Sequence, residues 1–498
     1  MASSILTATI LLILTSLAWL KLSAATAPND VKNRVKSTTK LVMICFFIYV
    51  DLLIKGDFMS SNNITYKVII AHFFNPINDK KCEFLEDYAI VAKRTTKGDY
   101  KIIDRMPKKE LTDYLARKKN VEVIDKSGQY IIPGLYDTHF HWVQDAVCEM
   151  PKANLLNWLE NYTWPYEANF KKLAFARKKA KEFTSKIANN GTIGGACYGS
   201  IHSHSVSEAL KNFKGDYILG NVQMTMNSPE YLTMGVEETI AQTEALAKEY
   251  KDKYAVTPRF AITTDPVTMA AGGKTAKKHR SFIQTHLSET QNEIDFVLSI
   301  YKDIKGFEKV KTYTEIYDKV GLLTPKTIMG HGIYLSPKEL KLLGEKKTMI
   351  AHCPTSNAPI KELGLGSGLF DYKRANRYNV HWALASDIGG GPFLSMLDVI
   401  NSFVMQNHKR GHRDTSYTQG LYRATLAGAN SLKLEQESGN FEVGKKLHFV
   451  SLGDKKMSAS LTTEEKLKKL IKRPNKDRAL YVDLIEATYY NGNVISDS

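Results

Sequence analysis

Between Pro133 and Met405, short apolar runs alternate with longer segments in which apolar residues recur at helical spacing. The short runs have the length of buried strands, and the longer segments have the length of amphipathic helices. Counted from the stretch Gln129–Gln144, the pattern gives eight strand–helix units. Eight such units predict a closed (β/α)8 barrel of the TIM type, with functional residues at the C-terminal ends of its strands.

Individual elements of this barrel can also be predicted. After the opening stretch, strands are predicted at Gly191–Tyr198, Asp216–Met224, Ala255–Ile262, Phe282–His286, Thr327–His331, Met349–His352 and Val380–Asp387. Helices are predicted at Phe170–Asn189, Val236–Tyr250, from about Thr290, and at Ser336–Gly344, Phe393–Met405 and Thr418–Leu432. The first helix is expected to bury Phe170, Leu173, Phe175 and Ala176, and Ser336 is expected to be an N-cap.

Both ends of the chain predict β-structure outside the barrel. The N-terminal part has predicted strands at Lys67–His72, Tyr88–Lys93 and Val121–Ile124, with Asn75–Lys81 as a turn-rich link. So few strands are not stable alone. We therefore expect them to form a small β-sandwich domain with Leu447–Leu452 and Thr488–Ile495. Between these last two segments, Thr462 and Glu465 have the spacing of a capping box, which opens a lysine-rich helix that Pro474 ends.

Residues 1–58 differ from the rest of the chain. Ile5–Leu20 is apolar and small residues follow it, as in a secretory signal, but no basic segment precedes it. Leu41–Ile54 is short for a membrane span and contains Asp51. A signal or anchor, a targeting extension and an upstream reading frame with Met59 as the working start remain open. The third is favoured, because a polar segment after Met59 leads into the first strand.

The sequence thus predicts four segments. Residues 1–58 are the leader, 59–132 the first part of the β-sandwich domain, 133–433 the barrel, and 434–498 the remaining part of the β-sandwich domain with the lysine-rich helix.

Composition restricts the partners and the compartment. The net charge is +16, but the lysines are spread along the chain and no nucleic-acid-binding motif is present, so no nucleic-acid partner is expected. The five cysteines have no disulfide-framework spacing, which favours a reduced compartment and a cytoplasmic location. Membrane association is expected only if the leader is real and retained.

Polar residues stand where five of the apolar strands stop, namely the first and the fifth to eighth. His139 and His141 are two apart, so they point to the same side of an extended strand. Later strand ends carry His286, His331 and Asp387. Packing alone does not explain four histidines and an aspartate at such positions, because desolvating them costs several kcal/mol unless they are paired or liganded.

This set of residues suits a catalytic metal ion. Imidazole binds zinc, copper, iron and nickel, and a catalytic zinc keeps a position for water, whose pKa it lowers to about 7. His139, His141, His286 and Asp387 are predicted to hold the ion, and His331 to bind the ion or its water. Glu289, three residues past His286, is placed to transfer a proton.

Four other residues have simpler explanations. His352 is expected to hydrogen-bond within the turn after the seventh strand, and Cys353 to be buried rather than nucleophilic. The second His-x-His, at His202 and His204, is expected to lie in a polar loop without metal.

With these residues in place, the chain resembles the amidohydrolase superfamily, in its branch of aminohydrolases and chlorohydrolases. The superfamily motifs read PGLYDTHFH, THLSE, GHG, HCPTSN and SDIGGG. A narrower resemblance is to the guanine deaminases. It rests on Gln144, Trp158–Glu167, Asn190–Thr192, Ala196–Tyr198, Thr257–Phe260 and Ser395–Leu397. The match spans roughly residues 66–450.

The resemblance implies a function and a set of roles. It implies hydrolysis of guanine by water to xanthine and ammonia, one zinc ion per chain, and a homodimer. Zinc ligands would be His139, His141, His286, His331 and Asp387, and catalytic residues Glu289, Asp387 and His331. Substrate contacts would be Gln144, Arg259, Phe260, His286, Glu289 and Asp387. An amide and a guanidinium can read the carbonyl and ring nitrogens of guanine.

Two other functions remain open. The first is a related deaminase or hydrolase for another purine, a pterin or a triazine, and the second is an inactive metal-binding scaffold. Gln144 and Arg259 favour guanine, unless Gln144 only meets solvent or Arg259 only pairs with a barrel carboxylate. The scaffold is disfavoured because no ligand is missing. The chain departs from the family in lacking an aspartate soon after Val443–Lys445 and in its lysine-rich tail, which affects the small domain and the dimer contacts rather than the metal site.

Overall fold

The strands from the two chain ends form one seven-stranded sheet in this computed structural model, which describes residues 64–453, 457–473 and 481–497. Its strands are β1 Tyr66–Asn78, β2 Lys81–Arg94, β3 Tyr100–Pro107, β4 Val121–Pro133, β13 Phe449–Leu452, β14 Ile485–Tyr490 and β15 Asn493–Asp497, in the order β15-β14-β13-β4-β1-β2-β3. β4 pairs antiparallel with β13, with Ile132 opposite Val450. The prediction that both chain ends build this part is confirmed.

Three details of this sheet differ from the predictions. Asn75–Lys81 is not a turn-rich link, because β1 continues to Asn78 and pairs with β2 residue by residue, so that the turn is confined to residues 79 and 80. β3 was not predicted, since its polar residues obscure the alternation of Tyr100 and Ile102, which are buried. The segment Thr488–Ile495 is divided between β14 and β15, which form a hairpin.

Eight parallel strands follow in chain order and confirm the predicted barrel. They are β5 Leu135–Phe140, β6 Thr192–Gly199, β7 Asp216–Gln223, β8 Ala255–Pro258, β9 Phe282–Leu287, β10 Thr327–His331, β11 Met349–His352 and β12 Trp382–Leu384. The last strand returns to the first, where the Thr138 hydroxyl donates to the Leu384 carbonyl at 3.0 Å and the Asp387 amide donates to the His139 carbonyl at 2.8 Å.

The predicted strands were too long where the site is built. Ala255–Ile262 ends as a strand at Pro258, and Val380–Asp387 is a strand only over Trp382–Leu384. Beyond these points the chain leaves the parallel ladder and turns into the mouth of the barrel, as in the Phe260–Thr263 turn, whose N–H···O distance is 3.1 Å. The residues after the strands therefore face a common opening.

Helices surround the barrel. The α-helices are α1 Leu111–Leu115, α2 Leu155–Trp158, α3 Trp164–Glu167, α4 Leu173–Asn189, α5 Ser203–Asn212, α6 Val236–Tyr250, α7 Pro266–His279, α8 Gln291–Tyr301, α9 Tyr313–Lys319, α10 Pro337–Lys346, α11 Tyr372–Arg377, α12 Met396–Lys409, α13 Tyr417–Ala424, α14 Leu426–Ser431, α15 Thr463–Ile471 and α16 Tyr481–Leu484. α6 has the predicted bounds, and Ser336 caps α10 in a capping box with Glu339.

Other helix predictions need correction. Thr418–Leu432 is two helices, because Thr425 leaves the helical conformation with φ −125° and ψ −90°. Leu173 is 44% exposed rather than part of the buried face of α4, since it stands at the first position of that helix. His204 is not in a polar loop, because α5 begins at Ser203, while His202 immediately precedes that helix.

The remaining predictions concern the C-terminal part of the chain and the leader. Thr462 and Glu465 form the predicted capping box of α15. The predictions for residues 1–58 and for Pro474 lie outside the described residues, and the four-segment division stays a prediction. A search of the described ranges for a helix of sufficient length and apolarity to cross a membrane gave none.

Candidate active site

Four side chains converge at the C-terminal mouth of the barrel. His139 and His141 come from the end of β5, His286 from β9, and Asp387 from the turn after β12. Their ligand atoms all lie within 4.8 Å of one another. The Nε2 atoms of His141 and His286 are 3.1 Å apart, and Asp387 Oδ1 is 3.3 Å from His139 Nε2 and 3.4 Å from His141 Nε2. The chain thus has a possible metal-binding site made of these four residues, all predicted from the sequence. We call them the metal-capable cluster.

The protonation of these groups fits a metal ion. Burial lowers the pKa of His139 and lowers that of His141 and His286 further, so the neutral imidazoles that bind metals are favoured. His286 Nδ1 donates to the Arg259 carbonyl at 2.6 Å, which leaves the Nε2 lone pair facing the cluster. Burial alone would raise the pKa of Asp387, but the hydrogen bond with His139 and the surrounding histidines hold it below its ordinary value.

Unpaired buried nitrogens support the same conclusion. Within the described part of the chain, Nδ1 of His139 and Nδ1 of His141 have no hydrogen-bond partner, and Nε2 of His139 has only its 3.3 Å contact with Asp387. A buried polar atom without a partner is costly, and a metal ion is one way to satisfy it. Three imidazole nitrogens and one carboxylate oxygen are ligands that suit zinc and related ions.

His331 stands beside the four-residue cluster. It groups with His139 and Cys353, again with ligand atoms within 4.8 Å of one another. Its Nε2 is 3.5 Å from Glu289 Oε2, and its Nδ1 is 3.1 Å from the Asn357 amide nitrogen. Burial lowers the pKa of His331, but the carboxylates of Glu289 and Asp387 raise it more, so its net pKa is above the ordinary value. Its role as a ligand or as a partner of water stays a prediction.

Glu289 lies on the same side of the cavity. It is 2% exposed, and Ser367 and Asn357 donate to its Oε1 at 2.8 and 3.1 Å. Burial raises its pKa, while the charge of His331 and the two hydrogen bonds oppose that rise. A raised pKa makes the protonated form of a carboxyl group more accessible, which suits a residue that transfers protons.

A cavity opens onto the cluster. Gln144, Arg259 and Phe260 line it together with His286, Glu289 and Asp387. Gln144 is 2% exposed, so the explanation that it only meets solvent is wrong. The predicted substrate residues therefore share one cavity with the predicted metal ligands, although contact with a substrate remains a prediction.

Arg259 does pair with a carboxylate, and that carboxylate was not predicted as a site residue. Arg259 Nη1 lies 3.0 and 3.1 Å from the two carboxylate oxygens of Glu167, which also accepts from the Gln144 amide nitrogen at 2.7 Å. Glu167 is fully buried. Its only signal in the sequence was its place at the end of the segment Trp158–Glu167, which resembles guanine deaminases.

The remaining histidine and cysteine predictions can now be judged. Among the described residues, His352 belongs to neither group that could hold a metal ion. The prediction that it hydrogen-bonds within its turn is wrong, because neither ring nitrogen has a hydrogen-bond partner there. Its ring centre instead lies 5.2 Å from that of Phe370. Cys353 is buried as expected, and burial raises its pKa well above the ordinary value. His204 bonds the Phe170 carbonyl at 2.6 Å.

An eight-stranded parallel barrel with histidines and an aspartate at its mouth defines a class of barrel proteins with a possible metal site. Comparison with known proteins gives the family. The amidohydrolase family matches residues 130–478. The chain belongs to this family, whose members depend on metal ions.

Individual relatives are guanine deaminases. The guanine deaminase of Escherichia coli (strain K12) is 35% identical over 338 residues, covering 66% of this chain and 74% of that protein. That of Mus musculus is 36% identical over 337 residues, covering 64% and 71%.

Solved structures agree with these sequence matches. The E. coli guanine deaminase has a TM-score of 0.75 at 28% identity, covering 87% of this chain and 99% of that chain. The C. acetobutylicum guanine deaminase, solved with guanine bound in its active site, has a TM-score of 0.74 at 29% identity, covering 86% and 100%.

Proposed function

We infer that this chain deaminates guanine hydrolytically to xanthine and ammonia. The observation that carries this inference is one cavity in which the metal-capable cluster, Glu289, Gln144 and Arg259 meet, in a chain whose relatives are guanine deaminases. In the reaction, a C–O bond forms at the ring carbon that bears the amino group, and the C–N bond to that group breaks.

His139, His141, His286 and Asp387 fit a zinc ion, one per chain, with His331 as a further ligand or a partner of the water. A bound zinc ion lowers the pKa of water to about 7 and so supplies hydroxide at neutral pH. Asp387, whose pKa is held low, stays ionised, so it would help to hold the ion and could accept a hydrogen bond from the water.

Glu289 moves the protons. It takes one proton from the water and gives it to the ring nitrogen next to the reacting carbon. It then takes the second proton from the hydroxyl formed at that carbon and gives it to the amine, which leaves as ammonia while the carbonyl forms. Ser367 and Asn357 fix its carboxylate, so the proton is held at one position. His331, 3.5 Å away, balances the negative charge of Glu289 when the proton has left.

Gln144, Arg259 and Phe260 hold the purine. An amide and a guanidinium suit the carbonyl and ring nitrogens of guanine, and an aromatic ring packs against a flat heterocycle. Because none of the predicted ligands is missing and Glu289 is in place, an inactive scaffold is disfavoured.

The direct test combines metal analysis with substrate turnover. Purified protein is analysed for zinc per chain, and loss of guanine is followed by ultraviolet absorbance beside adenine, cytosine and a pterin. We expect bound zinc and turnover of guanine above the other rings. Zinc-loaded protein that leaves guanine unchanged would contradict the proposal.

Arg259→Ala separates substrate binding from metal binding. We expect a higher KM for guanine with zinc content close to that of the wild type, and an unchanged rate on guanine would count against the contact.

A homodimer and a cytoplasmic location are also proposed. Light scattering tests the first, with a mass near twice the 56.0 kDa of one chain as the expected result.

A further inference from the structure

The buried carboxylate of Glu167 contacts both Gln144 and Arg259, two polar side chains that line the cavity beside the metal-capable cluster. It ends α3, the single turn Trp164–Glu167, which lies between β5 and α4. One carboxylate oxygen accepts from the Gln144 amide at 2.7 Å, and both are within 3.1 Å of Arg259 Nη1. Glu167 itself does not line the cavity, whereas Gln144 and Arg259 do.

An ionised carboxylate fixes which way the Gln144 amide points. A carboxylate only accepts hydrogen bonds, so the NH₂ end of Gln144 must face Glu167. Arg259 can only donate, so both oxygens of Glu167, at 3.0 and 3.1 Å from Arg259 Nη1, act as acceptors. The amide oxygen is therefore left as an acceptor, and it lies against Gly389, two residues after Asp387, where an added Cβ would be 2.3 Å from it. The amide thus presents an acceptor beside the cluster.

The same carboxylate restrains Arg259. Nη1 is held by Glu167, and the remaining guanidinium N–H groups are donors only. The backbone carbonyl of Arg259 also accepts from His286 Nδ1 at 2.6 Å, so Arg259 is tied to the metal-capable cluster at its other end. One acceptor and one donor are thereby held at fixed positions relative to that cluster.

We propose that Glu167 is a positioning residue that sets substrate specificity, by holding Gln144 as an acceptor and Arg259 as a donor. Together they select a ring edge with an N–H beside a carbonyl, as the six-membered ring of guanine carries, and disfavour an edge with an unprotonated nitrogen and no carbonyl. This inference rests on the proposed deamination of guanine. A site built to pair such groups discriminates strongly, because a ligand that lacks them leaves buried polar groups unpaired.

The test is Glu167→Gln, which keeps the size of the side chain but can donate as well as accept. Turnover of guanine is measured with inhibition by xanthine and by 2-aminopurine, in zinc-loaded protein. Xanthine has the N–H and the carbonyl, and 2-aminopurine has neither. We expect the KM for guanine and the inhibition constant of xanthine to rise about tenfold or more, while that of 2-aminopurine changes less than about twofold.

A matched control is Glu208→Gln. Glu208 is also buried and forms a two-contact ion pair, with Arg177 at 3.0 and 3.2 Å, but it does not line the cavity. We expect all three constants to stay unchanged in this variant. Equal weakening of xanthine and 2-aminopurine in Glu167→Gln, or no weakening of either, overturns the proposal, because a purely structural role does not distinguish the two ligands.

A double-mutant cycle shows whether Glu167 acts through Gln144. If it does, the double variant Gln144→Ala with Glu167→Gln should have an inhibition constant for xanthine little above that of the weaker-binding single variant. Additive effects of the two substitutions would contradict the proposal. Zinc content and melting temperature verify each variant. If Glu167→Gln does not fold, the same constants are measured for Glu167→Asp. That variant keeps the charge on a shorter side chain. Failure of the wild type to turn over guanine would concern the proposed function instead.

Discussion

At the residue scale, Glu289 has the environment of a proton-transfer group. It is buried, its pKa is raised by burial, and it lines the cavity beside the metal-capable cluster without being one of its members. Glu289→Gln keeps the shape but cannot carry the proton. We expect zinc per chain to be unchanged and kcat for guanine to fall by about 10²- to 10⁴-fold, the usual contribution of general acid–base catalysis.

Glu208→Gln is the control for this variant too, since it also neutralises a buried carboxylate. Zinc analysis and steady-state kinetics are measured on both proteins. A Glu289→Gln enzyme with the turnover rate of the wild type would refute the proton-transfer role.

Gly330 keeps space for the His139 ring. A Cβ at this position would stand 2.7 Å from His139 Cε1 and 3.0 Å from its Nδ1, closer than real contacts allow. Gly330→Ala should therefore push the imidazole out of the cluster. We expect zinc per chain to fall well below one under dialysis that leaves the wild type loaded, and guanine turnover to fall with it.

Gly235→Ala provides the comparison for Gly330→Ala. An added Cβ at Gly235 meets no atom within 4 Å, and its φ of −58° is open to alanine. This variant should retain its zinc. If Gly330→Ala binds zinc as tightly as Gly235→Ala, the fixed position of His139 is not required for binding.

At the element scale, α10 depends on its N-terminal cap. The Ser336 hydroxyl accepts from the Glu339 amide at 3.3 Å, and the Glu339 carboxylate accepts from the Ser336 amide at 2.9 Å. Ser336→Ala removes one half of this exchange. We expect the free energy of unfolding in urea to fall by about 1 kcal/mol, while KM for guanine stays the same because Ser336 does not line the cavity.

Ser299→Ala tests whether any serine lost from a helix has this effect. Ser299 lies inside α8, and its hydroxyl bonds the Phe296 carbonyl at 2.7 Å. The free energy of unfolding of this variant should lie within about 0.5 kcal/mol of that of the wild type. Equal losses in the two variants would mean that the cap of α10 contributes nothing special.

The elements also show what the sequence could predict. Strong periodicity and local capping made the barrel, α6 and the cap at Ser336 predictable, and the strand-end motifs gave the four-residue cluster. Predictions failed where strand pairing, a break in helical geometry or a distant contact decides. β1 extends past Asn75 because β2 pairs with it, and the helix over Thr418–Leu432 breaks at Thr425. Glu167 meets Arg259 across 92 residues, and periodicity carries no sign of such a pair.

At the scale of the whole molecule, the chain-end sheet is joined to the barrel through buried polar groups. Asp216, at the start of β7, accepts from Tyr136 at 3.1 Å and from Tyr490 of β14 at 2.6 Å. His448, just before β13, stacks on Tyr490 at 4.4 Å, and its Nδ1 accepts from the Asn491 amide at 2.9 Å. A buried histidine therefore stands at this junction.

His448 makes the stability of this junction depend on pH. Burial lowers its pKa to about 4, although Asp216, Asp99 and Glu437 favour its charged form and Lys446 disfavours it. An unfolded histidine has a pKa of about 6.5. The stabilisation from neutral His448 is therefore complete above pH 6.5 and is lost as the pH falls, because protons bind the unfolded chain first. The loss reaches about 3 kcal/mol at pH 4.

His448→Gln removes this titration. The free energy of unfolding is measured in urea from pH 7.5 to pH 4 for both proteins. Other histidines titrate in both, so the difference between the two curves isolates His448. At pH 7.5 that difference reports the lost stacking on Tyr490 and the changed hydrogen bond from Asn491, and it should shrink or reverse toward pH 4. Curves that stay parallel over the whole range would show that His448 does not make the junction sensitive to acid.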